Sequence, residues 1–184
     1  MLSWKSCFEP KKPCRKTSGT EFSEKVAKLI IISSHLGLEE ARERKKRLQQ
    51  DLAWAEKLQK EPLEKFLEEW YAQPLFDSLR EKKECFQTLL KRRCKIHPER
   101  ASQVLKQLSV AKQQTLWNSL HSFAQEMLFI SGERDEKYHA LYQKIPVSSK
   151  VQVASVPESG HAPHLENPDF FTALVLQFLT KEIL

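Results

Sequence analysis

The apolar positions of the chain change their period twice. Leu29-Ile30-Ile31-Ile32-Ser33 is a short, β-branched, uninterrupted run, which predicts a strand buried on both faces of a parallel sheet, entered from a short helix end over Glu24 to Lys28. From about Leu38 to Gln125 helical spacing takes over. Leu48, Leu52, Ala55 and Leu58 recur within the charge-rich stretch Glu39 to Lys60; Pro62 closes that helix and opens the next. Leu63, Phe66, Leu67 and Trp70 then mark an apolar stripe that stops before Pro74. Two more helices are predicted, over Glu81 to Lys95 and from Pro98 through Val104, Leu105 and Leu108. The short period then returns. Met127 to Ser131 predicts a buried strand ending in a turn at Gly132, Glu136 to Lys144 a helix, and Val151 to Val156 a third strand. A last helix has Asn167 as its N-cap and Pro168 in its first turn, with Phe170, Phe171, Leu174, Val175, Phe178 and Leu179 on one apolar face.

Strand, helix, strand, helix with short loops implies an α/β fold with a parallel sheet and right-handed connections. The chain divides accordingly into a core of about three strands with flanking helices (residues 22–37 and 126–184) and an all-helical insertion (38–125). Residues 1–21, with Pro10, Pro13, Gly19 and no apolar period, read as an irregular basic leader.

With 184 residues, 40% hydrophobic and 29% charged, the chain matches one soluble domain with a subdomain. Cys7, Cys14, Cys85 and Cys94 lack the paired spacing of zinc sites, so no metal is expected. Free thiols, together with no signal peptide and no apolar run long enough to span a bilayer, make the expected location the cytoplasm. The net charge of +6 raises the question of nucleic acid. Lys and Arg are interspersed with Glu over most of the chain, and the excess sits in Lys5, Lys11, Lys12, Arg15 and Lys16, so solvated faces and a basic tail account for it without a nucleic-acid partner.

In an open parallel sheet, catalytic groups gather at the carboxyl ends of the strands, where loops and helix N-termini converge. Asp135 follows the strand Met127 to Ser131, and His161 follows the strand Val151 to Val156. A carboxylate that fixes an imidazole's tautomer and stabilises its protonated form, with the imidazole moving the proton, is the acid and base of a catalytic triad. The order, acid and then histidine, is that of the α/β-hydrolases.

Four segments carry a closer resemblance: Phe-Leu-Glu-Glu-Trp-Tyr-Ala-Gln-Pro-Leu-Phe (66–76), Gln-Gln-Thr-Leu-Trp (113–117), Ser-Gly-Glu-Arg-Asp (131–135) and Gly-His-Ala-Pro-His-Leu-Glu-Asn-Pro (160–168). From about residue 22 onward the chain resembles 2-succinyl-6-hydroxy-2,4-cyclohexadiene-1-carboxylate synthase, the menaquinone-pathway lyase of α/β-hydrolase fold. The resemblance implies the C-terminal portion of that fold with residues 38–125 as its helical cap. It also implies a serine, activated by His and Asp, that removes a proton so that pyruvate is eliminated, with no cofactor. Substrate-binding arginines of the family fall on Arg47 and on Arg93, or its neighbour Arg92, and the cap tryptophan falls on Trp70. Bidentate guanidinium groups suit a small polycarboxylate substrate. Trp70 lies on the same face as Phe66 and Leu67, so packing is expected of it as well; Trp54 and Trp117 read as core.

The nucleophile elbow of that fold needs G-x-S-x-G. Two positions after Gly19, Gly37, Gly132 and Gly160 stand Glu21, Glu39, Arg134 and Ala162, and two positions before them stand Thr17, His35, Ile130 and Glu158. No serine fills either half of the motif. Three readings follow: a lyase portion that is inactive alone, through a truncated or disrupted reading frame or because a complementary N-terminal chain supplies the rest; a non-catalytic carboxylate-binding relative; or a basic helical interaction module. An apolar strand edge at Leu29 to Ser33 is expected to favour self-association or docking of another chain.

Overall fold

The computed structural model of the protein describes residues 26–180. Three parallel strands form one sheet in the order β1 (Lys28–Ile32), β2 (Glu126–Gly132), β3 (Val151–Val156). Between β1 and β2 the chain makes five helices, α1 (Ala41–Lys60), α2 (Leu63–Tyr71), α3 (Asp77–Glu81), α4 (Lys83–Arg93) and α5 (Pro98–Gln107), with 3-10 turns at Pro74–Phe76, Val110–Lys112 and Trp117–Ser122. Helices α6 (Glu136–Tyr142), α7 (Pro163–Glu166) and α8 (Pro168–Thr180) complete the described chain.

Alternation along the strands decides what each face of the sheet meets. Met127 and Phe129 of β2, Leu29 and Ile31 of β1, and Val151 and Val153 of β3 pack on one face against Tyr138 and Tyr142 of α6. Leu128 and Ile130, Ile30 and Ile32, and Ala154 and Val156 pack on the other against Phe171 and Phe178 of α8. Lys28 pairs in register with Glu126, and their side chains form an ion pair at 3.3 Å. The cap has its own core, Leu58, Phe66, Leu67, Tyr71, Phe76 and Leu79, and Ala162, next to His161, belongs to it. Within the cap, α1 and α5 approach closely at two fully buried small residues, where the Ser102 hydroxyl donates to the Ala55 carbonyl at 2.8 Å.

Several expectations are corrected. Val26 and Ala27 are not helical and Lys28 is already strand, so no helix end precedes it there; Glu24 and Lys25, like the 1–21 leader with Cys7 and Cys14, lie outside the described residues. Strand β1 is half-buried throughout, because among the described residues it pairs on one side only. The helix expected over Glu81 to Lys95 is two, α3 and α4, broken at Lys82, whose ψ of 70° leaves the helical region. On α8, Phe170 and Leu179 point outward, at 43% and 50% exposure. Helix α7 is too short for periodicity to reveal. Among the described residues Cys85 and Cys94 are free thiols, and no helix is long and apolar enough to cross a membrane.

Candidate active site

Asp135 and His161 meet above the carboxyl ends of β2 and β3. His161 Nδ1 lies 2.8 Å from Asp135 Oδ2. The Asp135 side chain is 1% exposed and that of His161 24%, so the acid is sealed and the base reaches solvent. Asp135 is also the N-cap of α6: its Oδ1 accepts the Tyr138 N–H at 3.2 Å, which leaves Oδ2 for the imidazole. One carboxylate thereby ends the turn after β2, starts a helix and orients the histidine. With Nδ1 held by the carboxylate, Nε2 is the nitrogen free to exchange a proton.

Backbone contacts explain why the two loops register. Gly132 closes β2 directly beneath the His161 loop; a Cβ there would stand 2.1 Å from the Gly160 carbonyl oxygen and 2.2 Å from that of Ser159. Only glycine permits that approach. The Glu133 N–H donates to the Val156 carbonyl at 3.0 Å, and the Arg134 N–H to that of Ser159 at 2.9 Å, extending the strand pairing into the loops. The fully buried Ser159 hydroxyl donates to the Val156 carbonyl at 2.9 Å, and Asn167 donates to that of Pro157 at 3.2 Å. Glu158, at φ +53°, occupies the left-handed region that a non-glycine residue enters only when its surroundings hold it there.

Aromatic rings wall the histidine. Tyr138 lies 5.0 Å from the His161 ring centroid and Phe76 lies 6.0 Å from it, edge-on. Phe76 in turn touches Trp70 at 6.4 Å, and Trp70 stacks on Phe66 at 5.8 Å and meets Trp54 edge-on at 5.2 Å. Trp70 is thus a packing residue of the cap, one ring removed from His161. Cap and loops are also bridged at the surface, where Arg134 donates two hydrogen bonds to Glu81 at 2.6 and 2.7 Å.

Arg47, on α1, donates to Asp51 at 2.8 Å, one turn along the same helix. Its charge reaches His35, Lys137 and Tyr138, which places it on the side of the site facing the end of β1. Burial, then Lys137 and Arg47, lowers the basicity of His35, with a hydrogen bond to the Gly37 backbone and then Glu43 opposing. Burial and Arg47 do the same to Lys137, and Asp135 and Glu43 oppose them. Burial also raises the Tyr138 phenol. Arg93 is the half-buried last residue of α4, with Arg92 exposed beside it. Two grooves of about 520 and 430 Å3 run along the cap, and neither is lined by Asp135 or His161. Among the described residues no cluster of His, Cys, Asp and Glu is arranged to hold a metal ion.

Sequence reasoning missed Tyr138, Phe76, Ser159 and Glu166 as parts of this site. Phe76 ends the segment 66–76 and Tyr138 stands three positions after Asp135, but nothing in their spacing says that they face His161. Glu166 gave one signal, an acidic residue inside the segment 160–168, between Pro163 and Pro168 and a few positions after His161.

No family model matches the chain. Among curated proteins it is 31% identical over 153 residues to 2-succinyl-6-hydroxy-2,4-cyclohexadiene-1-carboxylate synthase of Yersinia enterocolitica, covering 83% of this chain and 54% of that enzyme. It is 34% identical over 140 residues to the synthase of the same name from Salmonella heidelberg, covering 76% and 53%. The chain therefore spans about half the length of the curated relatives it matches. Among solved structures, MenH from S. aureus superposes with a TM-score of 0.81 at 26% identity over 85% of this chain and 59% of that one. An esterase from Thermogutta terrifontis superposes at 0.69 and 19% identity over 89% of this chain and 59% of that one, a likeness of fold alone. By sequence and by architecture, the chain is a homologue of the 2-succinyl-6-hydroxy-2,4-cyclohexadiene-1-carboxylate synthases over about half of their length, and the matched part has the α/β-hydrolase fold.

Proposed function

We propose that the chain carries the acid and base of a menaquinone-pathway lyase site, acting on a small polycarboxylate from which pyruvate is eliminated, and that it does not run this chemistry alone. The observation that carries the reading is the 2.8 Å contact between a sealed carboxylate and a partly exposed imidazole. In the proposed reaction, His161 Nε2 draws a proton toward itself from a serine hydroxyl, and Asp135 stabilises the imidazolium that results. The serine and the oxyanion donors come from outside this sequence, in which no glycine stands two residues from a serine in either half of the elbow motif. Oxyanion donors contribute about 3–4 kcal/mol each to comparable reactions, so their absence alone removes most of the rate.

The half-buried β1 supports the second part of this reading. Its outer edge, which no other strand pairs among the described residues, suits a complementary strand, from a chain carrying the serine or from a second copy. The test is mixing: the purified chain is combined with a fragment comprising the N-terminal half of a related synthase, and turnover is measured. Turnover is expected to appear on mixing and to vanish with His161→Ala. Turnover in the mixture that ignores His161→Ala refutes the assignment.

A second reading, carboxylate binding without catalysis, is favoured by the placement of Arg47, whose field reaches His35, Lys137 and Tyr138. It predicts that the chain alone binds a dicarboxylate and that Arg47→Ala weakens binding. In both readings Arg93 and Trp70 serve the ligand from the cap, in a cytoplasmic setting.

A further inference from the structure

Glu166 is a buried carboxylate, 6% exposed, that the acid–base pair does not use. It ends α7, and its two oxygens face the same stretch of backbone. Oε2 accepts the Gly160 N–H at 2.8 Å, and Oε1 accepts the Ala162 N–H at 3.0 Å. The Ala162 N–H belongs to the peptide plane directly after His161 and the Gly160 N–H to the plane that leads into Gly160, so the carboxylate brackets the tripeptide that carries the imidazole. We propose that Glu166 is a positioning residue for His161, holding the backbone on both flanks so that the imidazole is aimed at Asp135 before any ligand arrives. The inference rests on reading Asp135 and His161 as the acid–base pair.

The direction of a side chain is set by the φ and ψ of its own residue, and those are set by the two adjoining peptide planes. A carboxylate that holds the plane after His161 and the plane entering Gly160 ties down both ends of this short span, and so restricts where the ring points. Hydrogen bonds to a charged acceptor are roughly twice as strong as neutral ones, and a buried carboxylate without partners is costly, so loop and side chain hold each other. Packing leaves the loop no alternative path: a Cβ on Gly160 would stand 2.1 Å from the Ser78 hydroxyl, and Gly132 closes it from beneath. Both oxygens are spent on backbone, so Glu166 acts through the loop and not on a substrate. Glutamine at the same position keeps the shape but turns one acceptor into a donor, which then faces a backbone N–H.

The test reads the tautomer of His161 in the 184-residue chain by long-range 1H–15N correlation at pH 8, with His161→Asn to assign the signals. The parent is expected to show the Nδ1–H tautomer, lost in Asp135→Asn. Glu166→Gln and Glu166→Ala are expected to lose the single tautomer as well. Tyr142→Phe, which weakens the fold elsewhere, keeps it. An unchanged Nδ1–H tautomer in folded Glu166→Gln overturns the proposal. So does fast hydrogen exchange of both the Gly160 and Ala162 amides in the parent, which needs no variant. A parent that already shows the Nε2–H tautomer instead overturns the acid–base reading beneath it.

Discussion

The two sides of the three-stranded sheet are built to different standards. The central strand β2 is sealed, with Met127 to Ser131 all at most 3% exposed; β3, buried at its two ends and half-buried between them, pairs with it without a break, and the loops beyond both continue the pairing. From β1 outward every strand residue is half-buried, and the loop that follows is tied down by side chains from elsewhere. There the Tyr142 hydroxyl accepts the Ser34 N–H at 2.7 Å and donates to the Ser34 carbonyl at 2.9 Å. The proposed acid and base, and the carboxylate that steadies the histidine loop, all fall within residues 126–168, on the sealed side. Preorganisation of the proposed acid–base pair is therefore a local property of this stretch of chain.

Truncation in the strands should separate the two sides most widely. Phe129→Ala, at a residue 1% exposed, is expected to cost about 3–5 kcal/mol in urea unfolding, and Ile31→Ala on half-buried β1 about 1–2 kcal/mol. Equal costs would break the comparison. Glycine substitutions sharpen it: Gly132→Ala drives a Cβ into backbone carbonyls, and Gly37→Ala meets the Thr115 Cα at 2.7 Å from a φ of +98°. Each is expected to cost about 2–4 kcal/mol, but only Gly132→Ala should also remove the Asp135–His161 hydrogen bond, read from the imidazole nitrogen shifts. Tyr142→Phe should cost about 1 kcal/mol and leave that bond intact.

Acid should weaken both sides. Burial lowers the basicity of His35, just past β1, and of His164, on α7 with its ring against Phe171, from an ordinary value of 6.5. The unfolded chain binds these protons near pH 6.5 and the folded chain only at lower pH, so protonation favours unfolding. Stability is then full above that value and falls as the pH drops below it; melting curves of a His35→Gln/His164→Gln double variant should be flatter over the same range. The smallest effect is expected of Arg134→Ala, which breaks an exposed ion pair to Glu81 and should leave the melting temperature within error of the parent.

Strand and helix types were legible because the period of apolar residues is a direct image of what each element packs against. Leu128 and Ile130 alternate with Met127 and Phe129 because two different helices cover the two faces of the sheet. Asp135 and His161 were legible because their motifs lie just past recognisable strands. What stayed hidden depends on contacts between distant segments or on elements too short to have a period. The break at Lys82, helix α7, and the approach of Phe76 from the cap to His161 are of this kind. The outward turn of Phe170 and Leu179 shows the converse: an apolar face read from sequence is wider than the stripe the core covers.

The central claim is that this chain holds a proton-transfer pair already assembled but lacks the nucleophile it serves. The most direct test is turnover by the purified 184-residue chain, alone, given the synthase substrate. No pyruvate should be released above the uncatalysed rate, by the parent or by His161→Ala. Pyruvate released by the parent and abolished by His161→Ala would contradict the account.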